Sequence, residues 1–276
     1  MSNLSHKNLV NRIVSIVIFA PIFICAICWN SFSYFVAFLL IVILCMREFY
    51  RIAESNGIKA NTYWGIFSGA FLYLFSFLYA QGIFGNKQIM LLAPLLGVML
   101  ILTLYEKKVA NQFINVAYTL LGVLYIALPF SLLHSIAFRC SLYDYKIVLC
   151  ILIINWTNDT GAYIVGSICG NKKLFERISH KKSWEGTLGG GVLALTACFV
   201  LSKFYNIMSL NMWLCIGLII AVFGTYGDLV ESMLKRNMNT KDSGNAIPGH
   251  GGVLDRFDGF ILALPFIAAF MQLCVD

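Results

Sequence analysis

Three aspartates, Asp228, Asp255 and Asp258, bracket the most polar stretch of this sequence. Asp255 and Asp258 stand three residues apart, a spacing that puts both on one face of a helix. Asp228 can meet them if the hydrophobic runs on either side pack as neighbours. Three carboxylates brought together repel one another unless a cation sits among them, and hard oxygen ligands in that number suit Mg2+ or Mn2+. The same stretch carries Glu231, Lys235, Arg236, Lys241, Asp242 and Arg256. These charges could simply pair with one another, but surface ion pairs contribute little and need no such density of glycine. His250 lies among Gly249, Gly251 and Gly252, in backbone able to wrap closely around a ligand; an ordinary loop hydrogen bond would serve it equally well.

A second polar cluster lies upstream. Asn155, Asn158 and Asp159 fall inside an apolar run, where a carboxylate is costly and by default marks a site; helix packing through the Asn side chains is the bland alternative. Beyond it, the segment 167–186 carries Lys172, Lys173, Lys181 and Lys182 among glycines. Glycines let backbone N–H groups approach phosphate oxygens, although on charge alone these lysines are explained by the side of the membrane they face. No Walker-type G-x-x-x-x-G-K-[ST] occurs. The small residues from Gly186 to Gly191 predict close helix packing.

The rest of the chain must hold these groups in a membrane. Of 276 residues, 59% are hydrophobic and 12% charged, about half the charged share of an ordinary soluble domain; the mean hydropathy is +0.80. Nine segments qualify as spans: 13–29, 31–46, 62–80, 88–104, 116–137, 146–166, 187–202, 211–227 and 257–275. The first two read as one tight helical hairpin, and no cleavable signal peptide is evident. The nine cysteines, including the C-x-x-C pair Cys25 and Cys28, fall mostly in apolar runs and serve as small hydrophobes. With the N-terminus in the cytoplasm, 16 basic residues face that side and 4 the other, as the positive-inside rule requires. The expectation is an all-α, single-domain, polytopic bundle with both polar loops, 167–186 and 228–256, on the cytoplasmic face. Residues 1–140 supply helices of unassigned role and 146–276 the chemistry.

The run from Ser232 to Asp258 (Ser-Met-Leu-Lys-Arg, four residues, Lys-Asp-Ser-Gly-Asn-Ala-Ile-Pro-Gly-His-Gly-Gly-Val-Leu-Asp-Arg-Phe-Asp) resembles the signature of the phosphatidate cytidylyltransferase (CDP-diacylglycerol synthase) family. All constrained positions are met over 27 residues. Asn158-Asp159-Thr-Gly-Ala-Tyr163 and Lys182-Ser-Trp-Glu185-Gly186 resemble further blocks of that family. Departures are Ser167 and Asn171, where the family has basic residues, His180 for Pro, Ser183 for Thr and Gly259 for Ser. The resemblance implies transfer of CMP from CTP to phosphatidate from the bilayer, giving CDP-diacylglycerol and pyrophosphate, with Mg2+ in a two-cation centre, and a homodimer. No nucleic acid is involved. Asp228, Asp255 and Asp258 would hold the metal, with Lys235 and Arg236 beside them as catalytic groups. Lys172, Ser179, Lys181, Lys182, Glu185, Ser232, Lys241, Asp242, His250, Gly251, Gly252 and Arg256 would contact substrate. Asp159, with Asn158, would either support the cation ligands or line the phosphatidate headgroup cavity.

Because the nucleophile is an already anionic phosphate monoester, no general base is required. A CTP-dependent lipid kinase of related architecture would use similar carboxylates on a neutral hydroxyl and release CDP. Asp255-Arg-Phe-Asp258-Gly259 also matches the opening of the CDP-alcohol phosphotransferase motif, but no further pair of aspartates follows within the apolar stretch from Phe260 to Val275. A transporter would spread polar residues over several spans and show an internal repeat; neither is evident.

Overall fold

A computed structural model of the chain describes residues 20–85, 88, 90, 92–105, 111–139, 141–240, 243–244 and 251–274. Among these residues nine helices follow in order: α1 (Ala20–Trp29), α2 (Ser31–Glu54), α3 (Thr62–Ala80), α4 (Ala93–Leu104), α5 (Gln112–Ala137), α6 (Tyr145–Cys169), α7 (Trp184–Phe204), α8 (Leu210–Asn237) and α9 (Leu254–Cys274). All but α1 and α4 are long and apolar enough to cross a membrane. Among the described residues seven of the nine expected spans are met by helices of spanning length, while α1 and α4 fall within the segments 13–29 and 88–104 but are shorter than a span; the all-α, multi-pass reading holds. Large apolar side chains such as Phe67, Leu74, Val192, Phe199 and Leu218 point outward. In lipid this is the normal outer surface of a bundle whose backbone polar groups are satisfied within each helix.

The chain forms two compact units, each built from two separate segments: Met1–Tyr143 with Met238–Arg256, and Asp144–Asn237 with Phe257–Asp276. In the first, α1 and α2 make the expected hairpin around Asn30. Its side chain accepts from Ser33 N at 2.8 Å while Ser33 Oγ accepts from Asn30 N at 3.1 Å, a reciprocal cap. The rings of Phe23 and Phe38, near-symmetric about Asn30, meet at 5.1 Å. Tyr34, Phe38, Val42, Cys45 and Phe49 recur at helical spacing and bury one stripe of α2. Acyl chains are as apolar as these side chains, so the stripe holds through packing and through bonds such as Tyr50 Oη to Thr119 O at 2.7 Å. A short antiparallel pair, β1 (Phe138–Arg139) and β2 (Leu142–Tyr143), closes this segment.

In the second unit α6 and α7 approach closely because their facing residues are small, as the glycine run predicts. A Cβ on Gly190 would lie 2.6 Å from Asn158 O, and one on Gly186 would lie 2.8 Å from Ala162 O. The structure departs from the sequence reading in two places. The segment 167–186 is not an open loop: it folds into a hairpin of β3 (Lys173–Phe175) and β4 (Ser179–Ser183). The eighth helix does not stop where charge begins. It continues to Asn237, with Glu231 and Lys235 paired one turn apart on it. Hydropathy ends a span at the first charges, whereas a helix ends only where its own periodicity and capping end. Asp228, Glu231, Ser232, Lys235 and Arg236 therefore stand on a helix, and the expected long loop 228–256 is cut to the stretch between α8 and α9.

Candidate active site

Asp228 lies in the last third of α8, just after a π-helical turn at Ile220–Gly224. Such turns insert an extra residue and re-aim the side chains that follow. Gly227 and Gly259 bring α8 and α9 almost into backbone contact: a Cβ on Gly227 would sit 2.5 Å from Asp258 O, and one on Gly259 would sit 2.9 Å from Asp228 Oδ1. Further along the two helices the rings of Phe223 and Phe266 stack at 3.5 Å. The result is that Asp228 and Asp258 share one small region, with electrostatic coupling between them.

Lys182 reaches this region from β4. Its Nζ is ion-paired with Asp228 Oδ2 and donates to Thr225 O at 3.3 Å. The adjacent Lys181 is exposed, because successive strand residues point to opposite sides. Two lysines that read as a pair in sequence are thereby given different surroundings. Asp159, on α6, feels Asp228 and Lys182 and accepts from Asn155 Nδ2 at 3.2 Å. As a whole residue Asp159 keeps exposed surface in the middle of a membrane-spanning helix. Asn155 and Asn158 are 2% exposed, and the Oδ1 atom of each has no hydrogen-bond partner among the described residues. Four carboxylates (Asp159, Asp228, Glu231 and Asp258) thus share this part of the second unit with Lys182 and Lys235.

Other expected site residues in this unit are placed differently. Glu185 accepts from the backbone N–H groups of Asn171 and Lys172, each at 3.2 Å, and so fixes the entry to the hairpin. Ser179 opens β4 opposite Phe175. Lys172 and Arg236 are exposed, and Ser232 is half-buried on α8. Beside them Phe175, Ile178, Tyr226, Leu229, Val230 and Met233 line a cavity of about 140 Å³ with an almost wholly apolar wall. No sequence pattern announces that cavity, since its walls come from the hairpin and from one face of α8.

In the first unit, Asp255 on the opening turn of α9 accepts from Gly252 N at 2.9 Å and Ser243 N at 3.3 Å. Gly251 takes a positive φ of 86°, a backbone conformation that glycine adopts without strain. Arg256 is exposed. Lys241, Asp242 and His250 lie outside the described residues. The sequence reading missed Glu48, a buried carboxylate on α2 that accepts from Val253 N, Leu254 N and Ser243 Oγ. The signal that picked out Asp159, an acid within an apolar run, does not mark Glu48, which stands between Arg47 and Arg51 at the charged end of α2; only the packed structure shows that it is buried.

Among the described residues no three or more His, Cys, Asp or Glu side chains form a ready-made metal site. The donor chemistry nevertheless fits Mg2+. That ion keeps several waters and takes one or two protein carboxylates together with substrate phosphates, and the acids around Asp228 outnumber the two lysines.

Residues 10–274 match the model of a family described as the cytidylyltransferase family. The chain is 34% identical over 259 residues to the phosphatidate cytidylyltransferase of Staphylococcus haemolyticus, covering 92% of this chain and 94% of that protein. It is 39% identical over 196 residues to the phosphatidate cytidylyltransferase of Bacillus subtilis, covering 70% of each. With the Staphylococcus aureus protein of the same name it shares 36% over 184 residues, 65% of this chain and 69% of that protein.

Proposed function

The chain belongs to the cytidylyltransferase family, and from that premise we propose that it transfers the CMP moiety of CTP to phosphatidate, forming CDP-diacylglycerol and pyrophosphate. A phosphatidate phosphate oxygen forms a bond to the α-phosphorus of CTP. The bond from that phosphorus to the β-phosphate bridging oxygen breaks, and pyrophosphate leaves with the electron pair. The observation that carries this reading is the multi-carboxylate, lysine-bearing cluster around Asp228, with an apolar cavity on another face of the same helix. Polyphosphate and a phosphate headgroup are the ligands such a cluster suits once a cation offsets its carboxylates.

Asp228 and Asp258 are the residues that would hold Mg2+, which when bound would offset charge on the α-phosphate and the leaving group. Lys182, Lys235 and Arg236 bind and orient phosphate oxygens, and the exposed Lys172 and Lys181 draw phosphorylated substrates in. Asp159, Asn155 and Asn158 offer polar atoms to the phosphatidate headgroup, while the wall of Tyr226, Leu229, Val230 and Met233 takes the first part of an acyl chain. Asp255 holds its own loop through Ser243 and Gly252. No side chain need remove a proton, because the attacking oxygen is anionic at neutral pH. The cytoplasmic orientation of the cluster, supported by the basic-residue asymmetry, and the homodimer belong to the same proposal. The test is purified protein with CTP, phosphatidate and Mg2+, assayed for both products. Formation of a CMP-bearing lipid with pyrophosphate is expected; release of CDP with a phosphorylated lipid alcohol would overturn the reading in favour of a kinase.

A further inference from the structure

We propose that Glu48 is a positioning residue for the transfer reaction, holding the return of the α8–α9 loop and the first turn of α9 in the register that presents the aspartates of that helix. The inference rests on the cytidylyl-transfer reading. Glu48 is 7% exposed, buried near the C-terminal end of α2 although Arg47 and Arg51 flank it in sequence. A carboxylate there is expensive unless its oxygens are fully engaged. Oε1 accepts from Val253 N at 3.0 Å, and Oε2 accepts from Leu254 N at 2.8 Å and from Ser243 Oγ at 3.2 Å. Val253 and Leu254 supply N–H groups at the start of α9 that have no partner within the helix, and the negative charge sits at the positive end of its dipole.

The contact also ties the two ends of the loop together. Ser243 gives its hydroxyl to Glu48 and its amide to Asp255, so the serine that Glu48 holds also orients Asp255. Two glycines of the signature stretch leave room for this arrangement. A Cβ on Gly244 would lie 2.6 Å from Glu48 Oε1, and one on Gly252 would overlap Ser243 Oγ and lie 2.5 Å from Glu48 Oε2. Those glycines are therefore explained by a carboxylate about two hundred residues away in sequence. Asp258 follows Asp255 by about one turn on the same helix, so a change in the first turn of α9 reaches both.

Glu48→Gln keeps the size of the side chain but replaces one acceptor oxygen with a donor facing donors. We expect kcat per folded protein to fall about tenfold or more, a loss of the order of one charge-assisted hydrogen bond, with KM for CTP changed less than about twofold and the thermal midpoint somewhat lowered. Glu48→Asp, which keeps the charge on a shorter arm, should recover part of kcat, and Glu54→Gln, exposed on the same helix, should match wild type. Hydrogen exchange at Val253 and Leu254 should speed up in Glu48→Gln. A Glu48→Gln enzyme with kcat within about twofold of wild type, or with kcat lost only in proportion to folded protein, overturns the proposal. If Glu48→Gln does not accumulate, Ser243→Ala deletes one of the three bonds and decides the same way: kcat lowered severalfold supports it, and unchanged kcat overturns it. A wild-type protein that made no CMP-bearing lipid would sink the transfer reading itself. The exchange measurement would then still judge Glu48, unchanged amide protection overturning its anchoring role.

Discussion

Replacing Lys182 with Met removes a charge from the centre of the site while keeping most of the side-chain volume. Lys182 and Asp228 are 25% and 26% exposed as side chains, so their interaction is only partly screened by solvent. A hydrogen bond between charged groups contributes about 1.5–3 kcal/mol, and at 1.36 kcal/mol per factor of ten its loss lowers kcat/KM by about 10- to 150-fold. The lower half of that range fits best, given the residual exposure. Lys182 also faces Asp159 and Asp258, so its removal leaves the carboxylates repelling one another, and activity should then depend more steeply on Mg2+. The assay is pyrophosphate release with CTP and phosphatidate in detergent micelles, over a range of Mg2+. The double variant Lys182→Met with Asp228→Asn separates two roles. If Lys182 only neutralises Asp228, the double variant is no worse than Asp228→Asn alone; if Lys182 also holds phosphate, the losses accumulate. Folded Lys182→Met protein with turnover within about twofold of wild type would refute the reasoning.

Asp228→Asn and Asp258→Asn should each raise the half-saturating Mg2+ concentration by at least about tenfold, read from metal titrations of turnover. Lys181→Ala should raise KM for a phosphorylated substrate modestly, and increasing ionic strength should erase the difference, because exposed charges are screened. Gly190→Ala places a methyl against Asn158 O and should destabilise the protein by about 1–3 kcal/mol, seen as a lowered thermal midpoint. Val230→Trp fills part of the apolar cavity and should raise KM for long-chain phosphatidate while leaving KM for CTP unchanged.

The membrane class, the number of helices and the α1–α2 hairpin were legible in the sequence because each depends on local quantities: apolar length, charge, and one capping residue at Asn30. The small residues at Gly186 and Gly190 announced their packing role for the same reason, since a missing side chain acts where it stands. Asp159 stood out as a candidate because a carboxylate in an apolar run is costly, and the fold sets it within the influence of Asp228 and Lys182. Elsewhere the local signal left the surroundings of a residue undecided. Lys181 and Lys182 stand side by side in sequence, yet strand geometry sends Lys182 to Asp228 and leaves Lys181 exposed. Glu185 read as a substrate contact and is engaged by the amides of Asn171 and Lys172.

What the sequence determined alone is the chemistry available: hard oxygen ligands, lysines and arginines, and a signature stretch rich in glycine between two apolar runs. Tertiary structure decided which of these groups meet. Asp228 and Asp258 come together because Gly227 and Gly259 let two helices nearly touch, and the loop before Asp255 is held by Glu48, a residue of the second helix. Neither pairing follows from spacing along the chain. Hydrogen bonds and ion pairs act over about 3 Å, and only the packed fold brings residues so far apart in sequence within that reach.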